Sequence, residues 1–169
     1  GATKEKIVYE PLGVIANISA WNYPFLVGVN VFIPALIGGN AVFYKPSEYA
    51  TLTGLHIESL LYKAGVPENC FQTAIGRGQV GEELLLLPLN GYFFTGSYRT
   101  GKYIAEKVAG KMVPCQLELG GKDPLYVMDD VENIEKIAGD ALEGVVYNSG
   151  QSCCAVERIY VQEKVYDAF

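Results

Sequence analysis

Two adjacent thiols are the side chains of this sequence best suited to covalent chemistry. Cys153 and Cys154 stand in the run NSGQSCC, after a polar turn that contains glycine. A thiolate is the reactive form of cysteine, and histidine, a helix N-terminus or fixed dipoles normally stabilise it. The one histidine of the chain, His56, lies far upstream. Spacing alone therefore leaves two interpretations open: a nucleophile activated by distant groups, or a pair of buried, inert thiols.

The other two cysteines, Cys70 and Cys115, give no metal-binding pattern. The sequence contains no CxxC pair and no cysteine–histidine spacing typical of zinc ligands, so we expect no metal site. In a reducing compartment free cysteines usually pack as small apolar side chains. We therefore expect Cys70 and Cys115 to be buried free thiols.

Two further polar side chains follow apolar runs that predict buried strands. Glu118, in LELGGK, lies between leucines. A buried carboxylate either pairs with a cation, for which Lys122 is available, or becomes a stronger base suited to general base catalysis. Asn22, in SAWNYP, is an uncharged donor that suits either a turn or the binding of an oxyanion.

Three other strand ends carry residues that suit a nucleotide. TGSYRTG, residues 95–101, follows an apolar run and opens a helical segment, and helix N-termini favour phosphate. GRG, residues 76–78, is a weaker signal of the same kind. KPSE places Lys45 and Glu48 after another run, where a carboxylate typically binds ribose hydroxyls. Tight connections and a solvent-facing turn are the structural alternatives.

Short apolar runs alternate with helical periodicity up to residue 119. Strands are predicted at residues 13–19, 41–45, 70–75, 91–96 and 114–119, and helices at 24–36, 51–64, 80–87 and 98–109. Runs that are apolar at consecutive positions are buried on both faces, as in a parallel sheet covered by helices. The pattern predicts a doubly wound, Rossmann-like α/β sheet that binds ligands beyond the carboxyl ends of its strands. We expect Pro34 to kink the first helix or end it early.

The pattern changes after Lys122, and we place a domain boundary at residues 119–121. A strand is predicted at 124–130, a helix at 131–147 and an alternating strand at 155–162. The sequence therefore predicts the beginning of a second α/β domain.

The composition limits the classes of partner. Of the 169 residues 50% are hydrophobic and 19% charged, which is typical of globular proteins. A net charge of −6 argues against nucleic acid or an anionic membrane as partner. The N-terminal residues lack the apolar core of a signal peptide, and no apolar run is long enough to cross a bilayer. We therefore expect a cytoplasmic location.

Five motifs, in their order and spacing, resemble those of the aldehyde dehydrogenase superfamily. They are SAWNYPF, LIGGNAVFYKPSE, FTGSYRTGK, LELGGKDP and NSGQSCC. The resemblance covers essentially the whole chain, and LELGGK and GQxC are its most specific parts. It implies an NAD(P)-dependent enzyme that oxidises an aldehyde to a carboxylic acid.

The resemblance also implies a domain assignment. Residues 1–10 resemble part of the oligomerisation arm, 11–119 the main part of the NAD-binding domain, and 120–169 the start of the catalytic domain. The opening helices and the downstream glutamate–phenylalanine motif of the family are missing. We therefore expect a central fragment of such an enzyme, and a homo-oligomer for the full-length protein.

The resemblance assigns three catalytic roles. Cys153, two residues after Gln151, would attack the aldehyde to give a thiohemiacetal, and Cys154 would be a bystander. The Asn22 amide and the Cys153 backbone N–H would hold the oxyanion. Hydride transfer to the nicotinamide would leave a thioester, and Glu118 would activate the water that hydrolyses it. One oxyanion donor typically contributes about a hundredfold or more in rate.

The resemblance assigns a larger set of residues to the cofactor. These are Ser19, Trp21, Lys45, Glu48, Gly78, Gly96, Ser97, Gly101 and Leu119. Among them Glu48 favours NAD, with NADP possible, because a carboxylate repels a ribose phosphate. Two alternatives remain: a non-catalytic nucleotide-binding fragment, and a member that transfers the acyl group to coenzyme A. Such members commonly lack the glutamate at the position of Glu118, so its presence favours hydrolysis.

Overall fold

A computed structural model describes residues 3–169 of the chain, which form two compact units. The first unit extends to Glu118, and the second runs from Leu119 to Phe169. Within the first unit, residues 3–12 are exposed and form neither helix nor strand. Residues 1 and 2 of the predicted arm lie outside the described residues.

The first unit is built on a five-stranded sheet in which the strand order reverses at its centre. The strands are β1 (Val14–Ile18), β2 (Ala41–Lys45), β3 (Phe71–Thr73), β4 (Gly91–Gly96) and β5 (Cys115–Leu119), in the order β3-β2-β1-β4-β5. β1 pairs in parallel with both β2 and β4, and β2 pairs in parallel with β3. This topology confirms the predicted doubly wound α/β sheet.

Four helices connect these strands. They are α1 (Leu26–Ile37), α2 (Thr51–Lys63), α3 (Gly78–Leu86) and α4 (Tyr98–Val108). On one face of the sheet Phe32 of α1 packs edge-on against Tyr44 and Phe71, with ring centroids 5.2 and 5.1 Å away. The next residue of β2, Lys45, points to the opposite face because side chains alternate along a strand. There its stem lies 3.7 Å from the position that a Cβ on Gly81 of α3 would occupy.

Pro34 does not end the first helix, so this part of the prediction was wrong. α1 continues three residues beyond it to Ile37. The proline removes one backbone donor, but the Gly38 N–H donates to the Pro34 carbonyl at 2.9 Å and completes the last turn. Burial of Phe32 and Ala35 on either side of Pro34 holds this turn against the sheet.

The predicted burial of β5 is also wrong. Cys115, Gln116 and Glu118 are exposed, because β5 lies at the edge of the sheet with β4 as its one neighbour. Cys70 is half-buried, so neither Cys70 nor Cys115 is the buried thiol that was expected. Edge position depends on the order of strands, which the apolar pattern of a single strand does not contain.

The second unit contains a parallel β–α–β arrangement. β6 (Asp123–Val127) pairs with β7 (Val156–Val161), and α5 (Ile134–Val146) connects them. α5 begins three residues later than predicted, because the Lys136 N–H donates to Asn133 Oδ1 at 2.9 Å and makes Asn133 its N-cap. A short helix, α6 (Glu163–Tyr166), follows. Throughout residues 3–169 no helix has the length and apolar character needed to cross a membrane.

Gly28 fixes how closely α1 approaches the sheet, which generates the first testable prediction. A Cβ at this position would lie 2.7 Å from Tyr44 Cε2 and 2.9 Å from Phe32 Cε1. We expect Gly28→Ala to lower the free energy of unfolding by about 1–3 kcal/mol through overpacking. Urea denaturation followed by circular dichroism measures this change.

Gly139→Ala is the matched control. Gly139 lies within α5 and has no neighbouring atom within 4 Å of its Cβ position. Alanine there should raise stability by up to about 1 kcal/mol through its higher helix propensity. Equal effects of the two substitutions would contradict the close packing at Gly28.

Candidate active site

A cavity of about 570 Å³ opens in the first unit where β1, β2 and β4 end. Such a crevice forms because the chain leaves β1 toward one side of the sheet and later returns to β4 on the other. The starts of α3 and α4 complete its wall. Seven of the predicted cofactor residues line it: Ser19, Trp21, Lys45, Glu48, Gly78, Gly96 and Ser97.

The two remaining predicted cofactor residues lie elsewhere. Gly101 is buried within the first turns of α4, where its N–H donates to the Ser97 carbonyl at 2.9 Å. It therefore shapes the helix and is not part of the cavity wall. Leu119 is the first residue of the second unit.

The start of α4 presents backbone donors to the cavity. Ser97 is the N-cap, and its Oγ accepts from the Thr100 N–H at 3.3 Å. A Cβ on Gly96 would lie 2.5 Å from Phe94 Cζ, so no larger residue fits there without movement of that ring. The positive end of a helix dipole and its free N–H groups favour a phosphate.

Lys45 is a buried cation in the same cavity. Its residue is 4% exposed, and within the described chain its Nζ makes one hydrogen bond, to the Pro46 carbonyl at 3.3 Å. Burial lowers the pKa of Lys45, and the neighbouring Glu48 carboxylate partly offsets this effect. Because an ammonium has three donors, Lys45 can still donate to a ligand in the cavity.

Glu48 begins a short 3-10 turn, Glu48–Ala50, immediately after β2. The Tyr49 N–H donates to Ser47 Oγ at 3.3 Å and holds this turn. Glu48 itself is exposed and lines the cavity, so its carboxylate is accessible to a ligand.

Ser19 contributes a buried hydroxyl. Its backbone N–H donates to the Lys45 carbonyl at 2.9 Å and continues the β1–β2 pairing, while the residue is 6% exposed. Burial raises the pKa of Tyr44, and the nearby Ser19 hydroxyl lowers it. No hydrogen bond of ordinary geometry reaches Ser19 Oγ within residues 3–169.

In the second unit the segment before the thiols has an unusual backbone. Asn148, Ser149 and Gly150 adopt consecutive positive φ values of 49°, 59° and 72°. The Gln151 N–H donates to the Asn148 carbonyl at 3.1 Å and closes this turn. A left-handed conformation costs a residue other than glycine about 1 kcal/mol or more, so the fold holds this loop in a defined shape.

The two thiols that follow this loop differ in their contacts. Cys153 and Cys154 are both exposed, so the interpretation that both thiols are buried is wrong. Cys154 Sγ lies 3.2 Å from the buried Ser152 Oγ, and the Cys154 N–H donates to the same oxygen at 3.4 Å. Cys153 Sγ takes part in no hydrogen bond within the described residues, which leaves it available for reaction.

The other two predicted catalytic residues belong to the first unit. Asn22 is half-buried in the bend between β1 and α1, and the residue has an interaction partner. Glu118 accepts from Gln116 Nε2 at 3.1 Å on the exposed edge strand. Lys122, the cation considered for Glu118, pairs with Glu157 within the second unit. No group of three or more potential metal ligands occurs in residues 3–169.

The cavity also contains charged residues that the sequence analysis missed. Arg99, the second residue of α4, and Glu82 of α3 both line it. Arg99 stands inside the TGSYRTG motif, so its position beside Ser97 was a usable signal. Glu82 has no such signal, because only the packing of α3 beside the sheet brings it to the cavity.

Comparison with known proteins gives consistent matches. The model of the aldehyde dehydrogenase family matches residues 2–169. A 4,4'-diapolycopene aldehyde oxidase from Methylomonas sp is 40% identical over 168 residues, which are 99% of this chain and 32% of that protein. A betaine aldehyde dehydrogenase from Vibrio vulnificus is 39% identical over 161 residues, 95% of this chain and 33% of that protein. The chain thus spans about a third of the length of the curated relatives it matches.

Solved structures match equally well. The structure of an indole-3-acetaldehyde dehydrogenase in complex with NAD+ superposes with a TM-score of 0.91 and 34% sequence identity. The match covers 95% of this chain and 33% of that protein.

Substitution of the buried Lys45 should have opposite effects on the stability of the chain and on nucleotide binding. Lys45→Met keeps the apolar stem and removes a poorly hydrogen-bonded charge, so we expect the free energy of unfolding to rise by about 1–3 kcal/mol. Affinity for an anionic nucleotide should fall, as measured by isothermal titration calorimetry. Lys102→Met, which removes an exposed charge of α4 that pairs with Glu106, should change both quantities little.

The gain in stability should depend on pH. Because burial lowers the pKa of Lys45 in the folded chain, the unfolded chain binds more protons between the lowered pKa and the ordinary one. Wild-type stability therefore rises with pH across that window, and the advantage of Lys45→Met should shrink there. A constant advantage, or lower stability of the variant, would contradict the cost assigned to this buried charge.

Proposed function

Because the chain belongs to the aldehyde dehydrogenase family, we propose that it is the central portion of an NAD(P)-dependent enzyme that oxidises an aldehyde to a carboxylic acid. The observation that carries this proposal is the cavity of the first unit, where the buried ammonium of Lys45, the exposed carboxylate of Glu48 and the start of α4 meet. The relatives named above that act on aldehydes support the reaction class.

The cavity fits a dinucleotide. Its volume of about 570 Å³ lies within the range of roughly 300–1,000 Å³ that is usual for ligand pockets. Ser97 and the start of α4 would hold the pyrophosphate, and Lys45 and Glu48 would hold the adenine ribose. The chemistry that the bound dinucleotide supplies is the acceptance of a hydride. The NAD+ complex of the indole-3-acetaldehyde dehydrogenase supports this cofactor.

Cys153 is the proposed nucleophile. Its Sγ would bond to the carbonyl carbon of the aldehyde and give a thiohemiacetal on the enzyme. The Asn22 amide and the Cys153 backbone N–H would donate to the oxyanion. These two donors would stabilise its negative charge without a histidine. The contact between Ser152 Oγ and Cys154 Sγ supports Cys153 as the reactive member of the pair, because it engages the other sulfur.

Glu118 is the proposed base for hydrolysis. After oxidation the acyl group remains on Cys153 as a thioester, and the Glu118 carboxylate would take a proton from the attacking water. The exposure of Glu118 on β5 supports a role that needs access to water. Transfer to coenzyme A instead of water is the alternative outcome for this step.

Further properties of the whole protein belong to the same proposal. We place residues 1–10 in an oligomerisation arm, 11–119 in an NAD-binding domain and 120–169 at the start of a catalytic domain. The substrate is a small-molecule aldehyde, the full-length enzyme is a homo-oligomer and its location is cytoplasmic. Gly101 and Leu119 remain proposed cofactor-binding residues, and both lie outside the cavity wall.

The assignment of the nucleophile predicts different effects at the two thiols. Cys153→Ala should lower the rate of NAD-dependent aldehyde oxidation by at least about a thousandfold, because the covalent intermediate is lost. Cys154→Ala should leave the rate close to that of the wild type. The measurement is the absorbance of reduced cofactor across a panel of aliphatic, aromatic and semialdehyde substrates.

If Cys154→Ala abolished activity and Cys153→Ala did not, the nucleophile would be Cys154, and the assignment to Cys153 would be wrong. Nucleotide binding by the wild-type chain without oxidation of any aldehyde would favour a non-catalytic nucleotide-binding fragment. The length of the chain, a third of that of its relatives, is the observation behind this second candidate.

Glu118→Gln should separate the two half-reactions. The variant should still form the acyl-enzyme in a burst, while the steady-state rate falls by about a hundredfold or more through loss of the base. Rapid-quench mass spectrometry detects the acyl group on Cys153. An undiminished steady-state rate would remove Glu118 from the mechanism, and acceleration by coenzyme A but not by water would favour acyl transfer.

A further inference from the structure

Arg99 is a cation at the wall of the nucleotide cavity that the assigned roles do not use. It occupies the second position of α4, two residues after the N-cap Ser97. The residue is exposed and lines the cavity together with Ser97 and Thr100. It lies in the same first unit as every other residue of the cavity wall.

The guanidinium of Arg99 is not committed to another group. Within residues 3–169 it makes neither a side-chain hydrogen bond nor an ion pair, although two carboxylates, Glu48 and Glu82, line the same cavity. Glu82 accepts instead from the Tyr103 hydroxyl at 3.4 Å. Arg99 therefore keeps its donors free on the side of the cavity where α4 begins.

The chemistry of this position favours a phosphate. A guanidinium presents a planar fork of donors that matches two phosphate oxygens, which a lysine ammonium does not. The N-terminal N–H groups of the eleven-residue helix α4 favour the same anion. The buried Lys45 ammonium, whose one hydrogen bond within the described residues goes to the Pro46 carbonyl at 3.3 Å, is independent support that this cavity is built to receive an anionic ligand.

We propose that Arg99 binds a phosphate of the dinucleotide, an inference that rests on the nucleotide role of the cavity proposed above. Two phosphates have this chemistry: the pyrophosphate, which NAD and NADP share, and the 2'-phosphate, which NADP alone carries. Pairing with the 2'-phosphate would offset the repulsion from Glu48 and let the cavity accept NADP as well as NAD. Pairing with the pyrophosphate would strengthen the binding of NAD and NADP equally.

The test is isothermal titration of the 169-residue chain with NAD and with NADP, for the wild type, R99Q and K102Q. R99Q should weaken at least one nucleotide roughly tenfold, the loss expected for one charge-assisted hydrogen bond. A loss for NADP alone assigns the 2'-phosphate, and equal losses assign the pyrophosphate. K102Q removes the same charge from an exposed α4 position outside the cavity wall and should change both affinities less than about twofold.

Three results would overturn the proposal in distinguishable ways. Unchanged affinities of R99Q for both nucleotides, with the wild type binding normally, would refute the role of Arg99 alone. Failure of the wild type to bind either nucleotide would refute the proposed cofactor, and Arg99 with it. Equal losses of affinity in R99Q and K102Q would show that the net charge of the chain, and not a contact made by Arg99, causes the effect. This result would also overturn the assignment. Circular dichroism confirms that each variant is folded.

Discussion

The parallel pairing of β1 with both β2 and β4 is the constraint on which the candidate site depends. Ile18, the last residue of β1, lies opposite Lys45 on one side and Phe94 on the other. Because the three strands run in one direction, the residues that follow them emerge at the same edge of the sheet. Segments separated by dozens of residues in the sequence thus lie side by side at one cavity.

The two faces of the sheet bury different kinds of side chain. The cavity wall contains the buried ammonium of Lys45 and the buried hydroxyl of Ser19, whereas the opposite face packs Phe32, Tyr44 and Phe71 against one another. A ligand that satisfies the polar groups stabilises the folded chain by mass action, since it binds the folded state alone. Binding and folding of the first unit are therefore coupled through the same few side chains.

The sequence was sufficient for the features that local pattern controls. Consecutive apolar positions identified the strands, and the family resemblance assigned to the cofactor the seven residues that lie on the cavity wall. Pro34 and Glu118 were different, because the packing of Phe32 and the edge position of β5 are tertiary properties. The thiols show the same limit: spacing allowed burial of Cys153 and Cys154, and the family resemblance, not periodicity, singled out Cys153. Its catalytic role and those of Asn22 and Glu118 remain predictions.

Trp21 lies at the cavity wall with 47% of its surface exposed, and it is the one tryptophan in the sequence. An indole that is half in water emits at a wavelength and intensity set by its immediate surroundings. A nucleotide entering the cavity would replace water at that ring and could stack on it. The chain thus carries a built-in optical reporter, through which occupancy of the cavity is observable without any label.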